Sequence, residues 1–516
     1  MLRRKKLYNG NHVLGRCLPR GEEGFVLPMI MGVLLVVGVM ASLLLVAITM
    51  NQQGVMRDKD YTQSLSVAEA GLNQYLWMIS DGKSGVFNNY AIAGNELATN
   101  PHKKTYTLTE KNTGVIKGTY TMEITPPSAS DMRVGITITG TADSPQDVPR
   151  TVTAHIGRPA FSEYALLTND QVYIGGPIER VYHGKIHSNV GVRIDTGNIN
   201  ETVTASQENY KYVGDNAIHP GVWTGEPLIN AAHPSRSLWK FPVPIIDFNI
   251  VKTEFLRLHD LAKEDDDKGF SKCLLPYVAP SPAGAAHGWF IKLLPGEKYQ
   301  IAKVTAESEA NNSTYGSLTF GALEGPFDYP DNGVLYANDN VWIEGTGVTG
   351  RITIASSGQL NPVGQDQKTS IHVTDDLIYA TKDGMVAVGL IAQENLEIPT
   401  YAPRSKAMNT GTNMEIDAAI IAQTGRQYVN RFTTPYWPRK GTLKYYGSTS
   451  SYGTPERCTS NSDDINSANW CGFFKGDNTY DSYLLYNPPP HFPTVGSFQI
   501  LDWRELPSSQ GLAVEP

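Results

Sequence analysis

A run of 26 residues, Phe25 to Met50, carries no charged side chain, and this restricts the chain more than any other feature. As an α-helix it would be roughly 39 Å long at 1.5 Å per residue, enough to cross a bilayer core with some tilt. The segment before it carries Arg3, Arg4, Lys5, Lys6, Arg16 and Arg20. Basic residues beside an apolar span are retained in the cytoplasm, which puts everything after Asn51 across the membrane. The rest is ordinary polar sequence. The expectation is a single-pass protein of the inner membrane with a large exported body.

Three kinds of N-terminus contain such a run. A cleaved secretory signal has an apolar core of about 7–15 residues and a small-x-small cleavage site. This run is longer, and Met50-Asn51-Gln52-Gln53 offers no such site. A plain signal anchor fits the length but gives no reason for Gly24-Phe25. The third is a leader cut between a glycine and an apolar residue just ahead of the run. Here the residues are GEEG-FVLPMIMGVLLVVGVM, then a polar continuation with Ala68-Glu69-Ala70-Gly71 well down the helix.

Over residues 21–75 this resembles the N-terminal region of PilX-type minor pilins of type IV pili. The resemblance implies a prepilin peptidase that cuts after Gly24 and N-methylation of the new terminus, Phe25. It implies assembly with other pilin or pseudopilin subunits through the stem, from the membrane into an extracellular filament. Pro28, Met29, Gly32, Gly38 and Glu69 are the candidate stem residues. Two departures matter. Major pilins carry a glutamate five residues into the mature chain, and here that position is Met29. Within the resemblance, loss of that carboxylate is shared by subunits at a filament tip. The second is Glu22-Glu23 beside the cut, where basic residues are commoner.

Pro28 falls in the first turn of the helix, where a missing N–H does little harm. Gly32 and Gly38 lower helix propensity but let a neighbouring stem approach closely. Beyond Met50, the residues Met56, Leu65, Val67, Ala68, Leu72, Leu76 and Ile79 give an irregular 3–4 spacing on one face. One long helix ending near Ser80-Asp81-Gly82 is predicted, half in lipid and half laid on a globular head.

The formal charge is −8, and loss of a leader with six basic and two acidic residues makes it −12. A mildly acidic exported body argues against nonspecific nucleic-acid binding. Four cysteines are present. Cys17 lies in the leader, and Cys273 reads as a buried thiol. Cys458 and Cys471 flank a polar loop that an oxidising compartment would close as a disulfide, stabilising by about 3 kcal/mol. Zinc is the rival reading, weakened by the lack of a Cys-x-x-Cys or histidine pair.

The predicted fold class is α+β. The leader is 1–24 and the long helix 25–82, with 25–50 spanning the membrane. A pilin-like antiparallel sheet follows over 83–160, with strands at Thr105–Thr109, Gly118–Thr125, Arg133–Gly140 and Arg150–Ile156. Residues 161–430 hold a weak repeat, a short apolar strand ending in a small residue at Ala337, Ala355, Thr374, Ala392 and Ala422. Strands of this kind suit the coils of a β-solenoid, each stacking on the next; an evenly spaced β-sandwich is the alternative. Insertions are expected near 204–315. Residues 431–516, dense in Tyr, Trp and Phe, read as a C-terminal cap, alone or doubling as a face for a surface or glycan ligand.

No constellation compels an enzymatic reading, and neither a cofactor nor a metal site is expected. His187-Ser188 alternate in direction along a strand and make a poor nucleophile–base pair. Glu264-Asp265-Asp266-Asp267 lacks the spaced oxygens of a calcium loop and reads as a solvated acidic loop. Asp339, Asp375 and Asp376 could pair for glycoside chemistry, but polar coil corners explain them as well. The expectation is a tip- or initiation-type subunit displaying a β-rich body for assembly or adhesion. The alternative is a membrane-anchored β-helix enzyme or glycan-binding surface protein outside any filament.

Overall fold

The computed structural model describes residues 26–81, 90–93, 95, 97–127, 133–145, 148–175, 181–195, 198–199, 201–225, 236–269, 272–309, 316–360, 367–406, 411–430, 440–456, 472–485, 487–496 and 498–506. The leader, the Gly24-Phe25 junction and the Cys458–Cys471 pair lie outside them. Within them, a long apolar N-terminal helix leads into a large β-rich region of several sheets.

Helix α1 spans Val26–Asp81, 56 residues without a break, roughly 84 Å at the usual rise. Its last third lies on an antiparallel meander of strands Lys103–Thr109, Ile116–Thr125, Val134–Ala142 and Pro149–Gly157. Val134–Ala142 alternates buried and half-buried along its length, so its Val134, Ile136 and Ile138 meet Val67, Leu72, Tyr75 and Ile79 of the helix. Gly140 takes one of the buried positions in that alternation. A Cβ there would lie 2.5 Å from Ala68 N and 2.6 Å from Ser64 O, so only glycine lets the helix backbone rest on the strand.

A fifth strand, Gln499–Leu506, pairs antiparallel with Pro149–Gly157 and completes the head sheet from the far end of the chain. The segment for which a C-terminal cap is expected therefore runs back to the head. It also supplies strand Lys440–Ser451, which is paired on both sides, with Met414–Ala422 and with Tyr164–Thr168.

The body is a stack of parallel strands whose pairings link into one closed sheet system. One ladder runs Ala337 to Ser356 to Ala392 to Ala422 to Ser451, then to Thr168, Ser188 and Ala205. The chain thus enters this ladder in its middle, at Tyr164–Thr168, and builds outward. It then crosses to the other end through a helix and returns strand by strand to its starting point. A second ladder joins Gly288–Leu294, Asn340–Val348, Ile371–Tyr379, Leu396–Ile398 and Gln427–Val429. Two positions of the sequence repeat need correction. Thr374 belongs to this second ladder, and Ala337 stands opposite Ser356, one residue past Ala355. Strands of both ladders are short apolar runs ending in polar turns, so composition alone does not separate one face from the other.

The crossing helix, α2 (Asn249–Asp267), lies in the stretch 204–315 expected as insertions. Its Val251, Phe255, Leu258 and Ala262 pack with Val334, Tyr336, Ala355, Ile391, Ala419 and Ile421 from the outside of the first ladder. The intervening residues Leu335, Ile354, Leu390 and Ile420 point into the interior cluster. Both faces of these strands are covered, which is why they read as unbroken apolar runs. The acidic run at 264–267 ends α2 rather than forming a loop. Acidic groups there oppose the helix dipole. Asp265 offsets this by accepting from Asn332 N–H (3.0 Å) and pairing with Lys268, and Asp266 by accepting from Cys273 N–H (2.9 Å).

Candidate functional site: the uncovered half of helix α1

Among the described residues one helical segment, Leu27–Ser80, is long and apolar enough to cross a membrane. From Leu27 to Met56 no side chain is buried by the rest of the chain, and Met29 is 70% exposed. Apolar residues occupy every face of this half, unlike a surface helix with one apolar stripe. Such a surface is stable only in lipid or against other apolar helices. Pro28 is exposed in the first turn. A Cβ placed on Gly32, Gly38 or Gly54 would meet nothing within 4 Å, so these three positions leave open notches along the stem.

The helix enters the head through a collar of polar contacts. Ser144 Oγ donates to Asp60 (2.7 Å), Gln63 Nε2 donates to Lys117 O (2.8 Å), and the Ala142 N–H donates to Ser64 Oγ (2.9 Å). The Arg150 guanidinium lies 3.3 Å from the centre of the Tyr61 ring and pairs with Glu505 of the C-terminal strand. Arg150 is 6% exposed, while Glu505 stays 28% exposed, so the pair is shielded on the cation's side only. One cation thus ties the stem, the head sheet and the end of the chain together. Sequence reading missed Arg150, Glu505 and Gly140. Gly140, breaking a Thr–Ile alternation, was the one available signal. Glu69 is half-buried beside the sheet-contacting face, and its side chain forms no ion pair among the described residues.

The polar residues weighed for chemistry are engaged in hydrogen bonds, the aspartates mainly with backbone N–H groups. Asp339 is fully buried and accepts from the N–H groups of Val278 and Asn340 (2.8 Å each) and from His287 Nδ1 (2.9 Å). Burial raises its carboxyl above the ordinary range against those donors. Asp375 accepts from Ser405 N–H (2.6 Å), while Asp376 accepts from Glu415 N–H (2.9 Å) and pairs with Lys406. His187 contacts Thr204 Oγ1 (2.8 Å) and Asn189 Oδ1 (2.9 Å), and burial lowers its pKa. Asp339 and Asp375 thus brace loops, while Asp376 and His187 link neighbouring strands. Cys273 is buried under α2.

No protein-family model matches this chain, and no curated protein matches it. Among solved structures it is similar to the competence-associated pilin ComZ from Thermus thermophilus, at 11% identity. The match covers 87% of this chain and 98% of that one with a TM-score of 0.28, a likeness too slight to bear on fold or function.

Proposed function

We propose that this chain is a pilin-like minor subunit of a type IV pilus or related secretion filament. The observation that carries the reading is the division of α1: one half is built into a head, and the other is apolar on all sides with no cover of its own. In this account the stem resides in the inner membrane until assembly moves it into a bundle of like stems. A prepilin peptidase removes residues 1–24, and Phe25 becomes the methylated terminus. Met29, lacking a carboxylate, suits a subunit with no neighbour above it, and the bulk of the β-solenoid-like body disfavours repeated lateral packing. Both favour a place at the tip or at initiation. The body is then cargo for assembly or adhesion rather than an enzyme, since Asp339, Asp375 and Asp376 are engaged with backbone donors.

The same bare helix supports a second reading, a surface protein tethered in the membrane and never polymerised. Mass spectrometry of the mature chain distinguishes them. A terminus at methylated Phe25 supports the filament subunit; an intact Met1 leader on the membrane-bound protein contradicts it.

A further inference from the structure

Head and body meet at a waist made by two crossing segments. Phe161 N–H donates to Pro493 O (3.0 Å), Val495 N–H donates to Pro159 O (2.6 Å), and Ala160 bridges Thr494. Beside this crossing lies a pocket of about 370 Å³, walled by strand ends of the head and by α2 of the body. Its volume falls in the range of small-molecule sites, which favour such junctions.

The lining is divided by polarity. Ala160, Phe492, Phe498, Ile500 and Leu501 give an apolar wall, while Arg133, Arg158, Lys185 and Arg257 supply four cations against the two carboxylates of Glu163 and Glu254. Both carboxylates are already engaged: Glu163 pairs with Lys185, and Glu254 with Arg257 at 2.6 Å. Arg158 stands outside both pairs. Arg158 is exposed, with its guanidinium 4.7 Å from the centre of the Phe498 ring, so a cation stands directly over the apolar wall. An occupant matching this arrangement has a compact apolar group next to an anionic one. Bilayer lipid is a poor source. Arg150, beside the stem, and Gly157, at the pocket, sit at opposite ends of one strand, roughly 23 Å apart.

We propose that the waist pocket binds an aromatic or branched aliphatic carboxylate, with Arg158 receiving the carboxylate and the Phe498–Leu501 wall receiving the apolar group. The chemistry is shared by a free small acid and by the C-terminal end of a peptide. It stands apart from the filament reading, since a tethered surface protein would carry the same pocket.

The test is calorimetric titration of the full-length chain in detergent, with detergent blanks, using three probes. These are 4-phenylbutyrate, acetyl-Leu-Phe with a free carboxylate, and the amide of that peptide. Saturable binding of the two carboxylates is expected, at least tenfold weaker for the amide. Arg158→Glu should weaken carboxylate binding at least tenfold, and Leu501→Trp should block it by filling the wall. Tighter binding of the peptide assigns the source to a protein chain; tighter binding of phenylbutyrate assigns it to a free acid. Equal binding of amide and carboxylate, unchanged binding by a folded Arg158→Glu, or no saturation by any probe overturns the proposal.

Discussion

The two halves of α1 are made of the same backbone and form one unbroken helix, yet their side chains live in opposite surroundings. Between Ser64 and Ile79 the buried residues follow the 3–4 spacing of a face laid on a sheet, and the polar ones turn away. Between Leu27 and Met56 no such distinction exists, because every side chain there is exposed and none of the described residues covers it. Helices in water gain most of their stability from packing an apolar face. The first half must therefore take its packing from outside the molecule, while the second takes it from the head. Damage to either half should leave the other's behaviour intact.

The largest separation is expected from Leu35→Arg. A cation at the centre of a span costs roughly 3 kcal/mol on insertion scales, a loss of about 100-fold in partitioning. Fractionation of cell envelopes should find the variant depleted, while the melting of its head and body is unchanged. Gly140→Val should do the reverse, losing about 3 kcal/mol because the new side chain strikes the α1 backbone. Denaturant titration of the purified protein reads that loss, and envelope association should persist.

A third expectation concerns the body alone. Burial pushes the Asp417 carboxyl up to about 6 against its backbone donor from Tyr379 and its contact with Lys382. Its folded pKa is above the unfolded value, so its contribution is full below about pH 4 and is lost as pH rises through 6. Stability should fall by up to about 3 kcal/mol across that window, and Asp417→Asn should flatten the slope without altering the stem. The smallest effect is expected from Glu505→Gln, which removes the anion facing Arg150. A loss of about 1–2 kcal/mol should appear first as faster hydrogen exchange in Gln499–Leu506 and around Tyr61.

The same contrast explains what could be read from sequence. The helix was legible through its end at Asp81, because absence of charge and then 3–4 spacing are both local signals. The head strands were legible for the same reason, as in the alternating Val134-Gly135-Ile136-Thr137-Ile138. Contacts between distant segments were not. Nothing in Gln499–Leu506 announces that its partner is Pro149–Gly157, nor in Lys440–Ser451 that it seats against Tyr164–Thr168. Helix α2 carries the same 3–4 signal in Val251, Phe255, Leu258 and Ala262, but the acidic run that ends it favoured a loop reading. Of the candidate site, the bare stem was plain from the start. Its polar collar depends on Arg150 and Glu505, which lie far apart in the chain and meet only through the sheet.

The most direct measurement places a single cysteine at Gly38, whose surroundings within the molecule are empty, and applies a short bifunctional thiol crosslinker to intact cells and to sheared surface filaments. The account predicts an adduct joining this stem to the stem of another filament subunit, recovered in the sheared fraction. Recovery of the uncrosslinked chain in the membrane alone, with none in the filaments, would contradict it.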